Sequence, residues 1–242
     1  MLPLDQQHLA WKAKPSLRLV YEDFHHQILS SCRPGRTLEV GSGFGALKAY
    51  MPEILAFDIQ PMPRIDLVAD AHAMPFQSAS FENIVGIDVL HHLASPFRFL
   101  TEALRVLCPS GRLILLEPAV TILSSFVYRV FHDEPIDMTA TPLHDESTTV
   151  SKVENVNQAI PTLIFVRHRD QLAERLPELQ ILDIKHLSLW AYPLSGGFRR
   201  WSLMPKNLVR PLLAFERRLA PILGPYIGFR LLIVAERRKE CS

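Results

Sequence analysis

Apolar positions along this chain follow two rhythms. Over residues 16–32 they recur at helical spacing, with Leu17, Val20, Phe24 and Ile28 on one stripe, until Pro34 and Gly35 stop the run. Short continuous apolar runs come next, at 37–40, 54–59, 65–70, 81–89 and 112–117, and these predict strands. Helical stretches separate them. One runs over 46–51, and another is opened by Ser95 and Pro96, an N-cap followed by a first-turn proline, with Leu100, Leu104 and Leu107 facing inward. Pro109, Ser110 and Gly111 predict a turn. Strands alternating with helices predict an α/β fold, a parallel sheet with helices on both faces.

The regular pattern breaks after Pro118. Residues 120–131 predict an aromatic-rich helix, and 132–160 are polar and irregular. A helix at 170–176 and a strand at 180–190 resume the alternation. Residues 196–228 read as a second irregular segment, in which Pro211 and Pro221 limit any helix, and 229–236 close the chain as a strand. Irregular segments of such length are usually functional or disordered.

Composition narrows the classes. The 242 residues suffice for one large domain, expected to span 1–242. A net charge of +1 gives no global pull toward nucleic acid. Cys32, Cys108 and Cys241 form no pair with metal-ligand spacing, which fits a reducing, cytoplasmic setting. The N-terminus lacks a signal-peptide core, and no apolar run reaches the roughly 18–20 residues of a membrane span.

The glycines in "LEVGSGFGALK" raise the question of a ligand. The run has no GK[ST] ending, so a nucleoside-triphosphate loop is disfavoured. Gly41, Gly43 and Ala46 loosely satisfy the dinucleotide pattern, but Glu39 and the additional Gly45 depart from it. Taken together, "LEVGSGFG", "AFDIQP", "VADAHAMPFQSASFENIVGIDVLHHL" and "EALRVLCPSGRLILLEP" resemble, in order, the motifs of class I S-adenosylmethionine-dependent methyltransferases. The resemblance covers about 16–118, which it marks as the cofactor-binding half. It implies a Rossmann-like, doubly wound, mostly parallel seven-stranded sheet with an antiparallel last strand. It also implies S-adenosyl-L-methionine as cofactor. By the same resemblance, Gly41, Ser42 and Gly43 let the backbone approach the donor, and Asp58 accepts the ribose hydroxyls. Ile59 packs on adenine, Asp70 and the Ala71 N–H meet its edge, and the backbone of Ile87 and Asp88 faces the methionine end. Glu39 and Asp88 offer negative charge to the sulfonium, although Glu39 reads equally well as a structural partner of the loop. Strand-end aspartates also serve as turn residues, and that reading stands beside each of these roles.

Methyl transfer needs alignment and, for a protonated nucleophile, a base. His91 and His92 follow the fourth strand at the carboxyl edge, where open α/β sheets bind ligands. Either one reads alternatively as a cap or a packing residue. His132, in the His132-Asp133-Glu134 run, is the third candidate, set against a solvated loop; adjacent residues do not offer metal-ligand spacing, so no metal is expected. The turn after the fourth strand lacks the Pro-Pro-aromatic signature of nucleic-acid amino methyltransferases, and no basic, aromatic-interleaved stretch predicts RNA binding. The expected acceptor is therefore small or lipid-like, methylated at oxygen. Residues 119–165 and 196–228 are expected to form its lid. The basic and apolar stretch 197–218 reads as a buried lid or homodimer helix, or as a peripheral contact with the inner membrane face. Two rival readings remain at this level: a cofactor-binding interaction module without transfer activity, and an NAD-dependent oxidoreductase.

Overall fold

The computed structural model describes residues 4–131, 134–143 and 156–239. Seven strands form one sheet in the order β3-β2-β1-β4-β5-β7-β6. They are β1 Thr37–Val40, β2 Leu55–Asp58, β3 Leu67–Val68, β4 Phe81–Ile87, β5 Leu107–Pro118, β6 Leu179–Leu187 and β7 Arg230–Arg237. Neighbours from β3 to β5 pair in parallel, with Leu38 opposite both Leu55 and Ile84. β7 runs antiparallel between β5 and β6, with Leu115 opposite Ile233 and Ile184 also opposite Ile233. The expected seven-stranded Rossmann-like sheet with its reversed last strand is thus present.

Both faces of the sheet are covered, which is why its central strands read as continuous apolar runs rather than alternating ones. Leu38, Ile84, Leu113 and Leu115 join the core beneath α3 (Pro96–Val106), where Phe99, Leu100 and Leu104 are buried. Val85, Ile114, Leu116 and Leu232 turn to the other core, against α2 (Pro15–Ser31) and α8 (Lys206–Ile227). An additional helix, α1 (Leu4–Ala13), precedes α2. After β5 come α4 (Ile122–Phe131), the short α5 (Ile160–Thr162) running into a wide π turn at Leu163–Arg167, and α6 (Arg169–Arg175); α7 (Ala191–Ser195) follows β6.

Three expectations change. The helix at 46–51 shrinks to a single 3-10 turn, Leu47–Ala49, because Pro52 disfavours helical backbone at Met51. The turn at Pro109–Gly111 lies within β5 as an outlooping. Phe81 pairs with Leu107 and Asn83 with Arg112, so the intervening residues bulge, with Ser110 at φ 62. The segment 196–228 is largely regular: α8 runs for 22 residues through Pro211, Pro221 and Pro225. Each proline removes one helical hydrogen bond. All three lie on the exposed side, where water can serve the freed carbonyls, while Val209, Leu213, Glu216 and Gly224 bury the other side.

Candidate active site

The carboxyl ends of β1, β2, β4 and β5 and the start of the reversed β7 meet at one edge of the sheet. The loop after β1 holds Gly41, Gly43 and Gly45 at φ 63, 53 and 68, left-handed conformations that a side chain makes costly. A Cβ on Gly41 would stand 2.4 Å from Val89 Cγ2, so this glycine is also demanded by close packing on the turn after β4. Ser42 ties the loop down: its N–H donates to Phe57 O at 3.1 Å, and its hydroxyl lies 3.2 Å from both Glu39 O and Phe57 O.

Asp58 ends β2 and reaches across to this loop. Its Oδ2 accepts from Gly43 N at 2.9 Å and its Oδ1 from Gln60 N at 3.0 Å. The carboxylate therefore sits in the crevice between β1 and β2 and remains partly exposed. Ile59 beside it is 69 % exposed, a large apolar side chain presented at the crevice mouth. Asp70 and the buried Ala71 lie beyond β3. Asp70 Oδ1 accepts from His72 N at 2.8 Å and meets His72 Nδ1 at 2.7 Å. Burial raises its carboxyl, but these bonds to His72 outweigh it and hold the group below the ordinary range. One Asp70 oxygen thus serves the local turn, the bland use weighed for a strand-end aspartate.

Glu39 lies under the loop, 3 % exposed, and its Oε2 has no hydrogen-bond partner among the described residues. Burial pushes its pKa up to about 8, against smaller lowering by Ser42 and Lys48.

Ile87 ends β4, and Asp88 follows at φ 56. Its N–H donates to Leu116 O at 3.0 Å, which fixes the tip against β5. The Asp88 carboxylate does not stand alone: Arg230, on the first residue of β7, places Nη2 2.7 Å from Oδ1, and Tyr21 OH donates to Oδ2 at 3.4 Å. The Arg230 guanidinium is buried and lies 5.3 Å from the Tyr192 ring centre and 5.8 Å from that of Phe24. Negative charge expected from Asp88 is therefore largely offset by this cation.

His91 and His92 occupy the 3-10 turn Leu90–His92 immediately beyond. His91 Nδ1 and Glu117 Oε2 are 2.6 Å apart, while Glu117 Oε1 accepts from Val89 N at 2.9 Å and Leu90 N at 2.8 Å. Glu117 is fully buried, and these three contacts satisfy both of its carboxyl oxygens. With Nδ1 bound to the carboxylate, Nε2 of His91 faces Glu134 Oε2 at 3.9 Å. Burial lowers the His91 pKa, but the charge and hydrogen bond of Glu117, with Asp88 and Glu134 behind them, more than reverse this and leave it raised. His92, its ring centre 4.0 Å from that of His91, is pulled down to about 4, by burial first and by the His91 charge second. The segment before α5 closes over the pair: Asn157 N donates to His91 O at 3.0 Å, and Gln158 Nε2 to Glu134 Oε2 at 2.8 Å. His132 lies outside the described residues.

The sequence reading missed Glu117 and Arg230. A lone acid at the carboxyl end of an otherwise apolar buried strand was the signal for Glu117. Arg230 had none, because its meaning depends on β7 reversing to bring its first residue to the carboxyl edge, where the side chain reaches Asp88.

A sequence profile described as a methyltransferase domain matches residues 38–115, from β1 into β5, less than half of the chain. No curated protein sequence matches the chain. Among solved structures, the chain is similar to an S-adenosylmethionine-dependent methyltransferase of Thermotoga maritima, at 16 % identity and TM-score 0.53, over 93 % of this chain and 91 % of that one. A Bacillus halodurans protein assigned as a methyltransferase has 15 % identity and TM-score 0.52, over 89 % and 99 %. Phosphoethanolamine N-methyltransferase 2 of Haemonchus contortus, solved with S-adenosyl-L-methionine, has 14 % identity and TM-score 0.53, over 90 % of this chain and 53 % of that one. The strand order is that of the class I S-adenosylmethionine-dependent methyltransferase fold, and within it residues 38–115 match a methyltransferase domain. S-adenosyl-L-methionine is the donor bound in the Haemonchus contortus structure. The residues at the edge fit that donor: Gly43 turns through φ 53, a backbone bend open to a glycine, and the Asp58 carboxyl stands beside it as a hydrogen-bond acceptor.

Proposed function

We propose that this enzyme methylates a hydroxyl oxygen of a small or amphiphilic acceptor, with His91 as the general base. The bound donor supplies an electrophilic methyl carbon on a sulfonium. The protein's residues divide the remaining work. In this reading Gly41, Ser42 and Gly43 receive the donor's amino-acid half, Asp58 its ribose, and Ile59, Asp70 and Ala71 its base, while Ile87 and Asp88 flank the methionine end. Glu117 holds the His91 proton at Nδ1 and so leaves Nε2 free to take a proton from the acceptor. His92, kept neutral, stands ready to hydrogen-bond that hydroxyl. In the same reading the described parts of 119–165 and 196–228 wall the acceptor space over the tips of β5 and β7 and exclude water from it. All of this lies within one domain, 1–242, of which 16–118 hold the donor.

The observation that carries the reading is the 2.6 Å His91–Glu117 contact, anchored by two backbone N–H groups at the carboxyl edge. The test is transfer of a radiolabelled methyl group to a panel of hydroxylated small molecules and amphiphiles, with donor binding measured separately by calorimetry. His91→Ala is expected to lose about a hundredfold or more in transfer while donor affinity holds. Full transfer by that variant would remove His91 as base, and a methylated nitrogen in the product would remove the oxygen assignment.

A further inference from the structure

Outside the site, α4 and the second half of α8 share an apolar face that no described residue covers. On α4, Ile122 (74 % exposed) and Phe126 (64 %) lie one turn apart, with Val130 a turn further on. On α8, Ile222 (71 %) and Tyr226 (58 %) continue the exposed stripe from Phe215. Each helix already buries its opposite side. Ser124 and Tyr128 are inward on α4, and Val209, Leu213 and Gly224 are inward on α8. The exposed residues are therefore surplus to the fold. Between the helices runs a groove of about 520 Å³ lined by Ile122, Leu123, Phe126, Tyr226 and Ile227. Scattered surface apolar residues are ordinary, but a contiguous patch of this kind marks an interaction surface.

Charge selects the occupant. α4 carries Arg129 and no acid. α8 carries Lys206, Arg210, Arg217 and Arg218, and its one acid, Glu216, is buried. Arg210 and Arg217 are engaged by Glu22 and Asp23 of α2. Arg129 and Arg218 remain exposed. A second copy of the chain, meeting this face through a two-fold axis, would set this acid-free cationic face against itself. An anionic lipid surface would instead accept the apolar side chains and attract the arginines.

The face also sits beside the site. Tyr128 OH donates to Phe229 O at 2.8 Å and Thr121 Oγ1 to Gly228 O at 3.1 Å, so α4 is fastened to the start of β7, next to Arg230. We infer that the α4/α8 face docks this enzyme on an anionic bilayer surface, with the carboxyl edge held at the lipid–water boundary. The inference is independent of which acceptor atom is methylated. It moves the membrane contact expected at 197–218 to α4 and the far half of α8.

Vesicle co-flotation tests it, with phosphatidylcholine alone and with phosphatidylcholine mixed with phosphatidylglycerol. The full chain is expected to float with the anionic vesicles, to stay behind with the neutral ones, and to be released at high salt. Phe126→Asp with Ile222→Asp, and separately Arg129→Glu with Arg218→Glu, are each expected to lower partitioning at least about tenfold while donor affinity by calorimetry stays unchanged. All four residues are exposed, and retained donor binding reports an intact fold. Failure of the full chain to float with anionic vesicles, or undiminished flotation of both double variants, overturns the inference. So does sedimentation showing a dimer that Phe126→Asp with Ile222→Asp dissociates, without any vesicle binding, since a second copy then occupies the face.

Discussion

Replacing Glu39 with glutamine isolates the cost of one buried carboxyl. Its pKa stands at about 8 in the folded chain against an ordinary 4.5, with burial as the main cause. Below pH 4.5 both folded and unfolded chains hold the proton, and the acid imposes no penalty. Between 4.5 and 8 the unfolded chain releases it while the folded chain retains it, so stability falls as pH rises. At about 1.4 kcal/mol per unit, the loss reaches roughly 3 kcal/mol at pH 7 and levels off above pH 8 at roughly 5 kcal/mol. Glutamine keeps the shape without the ionisation. Urea denaturation of both proteins from pH 4.5 to 8.5 is expected to show their stabilities nearly parallel at the acid end and diverging upward in favour of Glu39→Gln. Curves that stay parallel across the range would refute the buried, neutral carboxyl. Donor binding supplies a second readout. A sulfonium nearby favours the ionised acid, so binding to wild type at pH 7 should release a proton, seen as a buffer-dependent heat that the glutamine variant lacks.

Three further outcomes follow from the same geometry. Asp58→Ala removes a charged acceptor worth about 2 kcal/mol, so donor affinity by calorimetry should fall about 30-fold, and unchanged affinity would dismiss the ribose contact. Gly41→Ala forces a side chain into a left-handed position and against Val89, at a cost of about 2 kcal/mol or more, which should lower Tm by roughly 4–8 °C in a thermal melt. In wild type, transfer should rise with pH as His91 loses its proton above the ordinary histidine range. Glu117→Gln should lower both the maximal rate and the pH of that rise, whereas a purely structural Glu117 would leave the profile in place. The same His91–Glu117 attraction stabilises the fold below pH 6.5 and is lost as pH passes the raised value.

How far the sequence disclosed all this depended on whether a signal was local. The glycine loop, the strand-end Asp58 and the capped helix α3 are set by neighbouring residues, and each was legible. Even the bulge in β5 showed as a Pro-Ser-Gly turn. Helix α8 was read as irregular because proline penalties are local while the burial that outweighs them comes from α2 and β6. The site divides in the same way. His91 could be placed at the edge from its own strand, but its partner Glu117 belongs to another strand, and their pairing depends on parallel β4 and β5 ending together. Arg230 depended on more, since only the reversal of the last strand sets its charge against Asp88.

That reversal has a further effect on how such an enzyme can diversify. β1 and β2 carry the glycine turn and Asp58, whereas α4 and α8 hang from β5 and β7 on the far side of β4. In the proposed reading, changes of length or sequence in those two helices reshape what enters from one flank without disturbing the grip on the common reagent at the other. A single scaffold can in this way keep one chemistry while exchanging its clients.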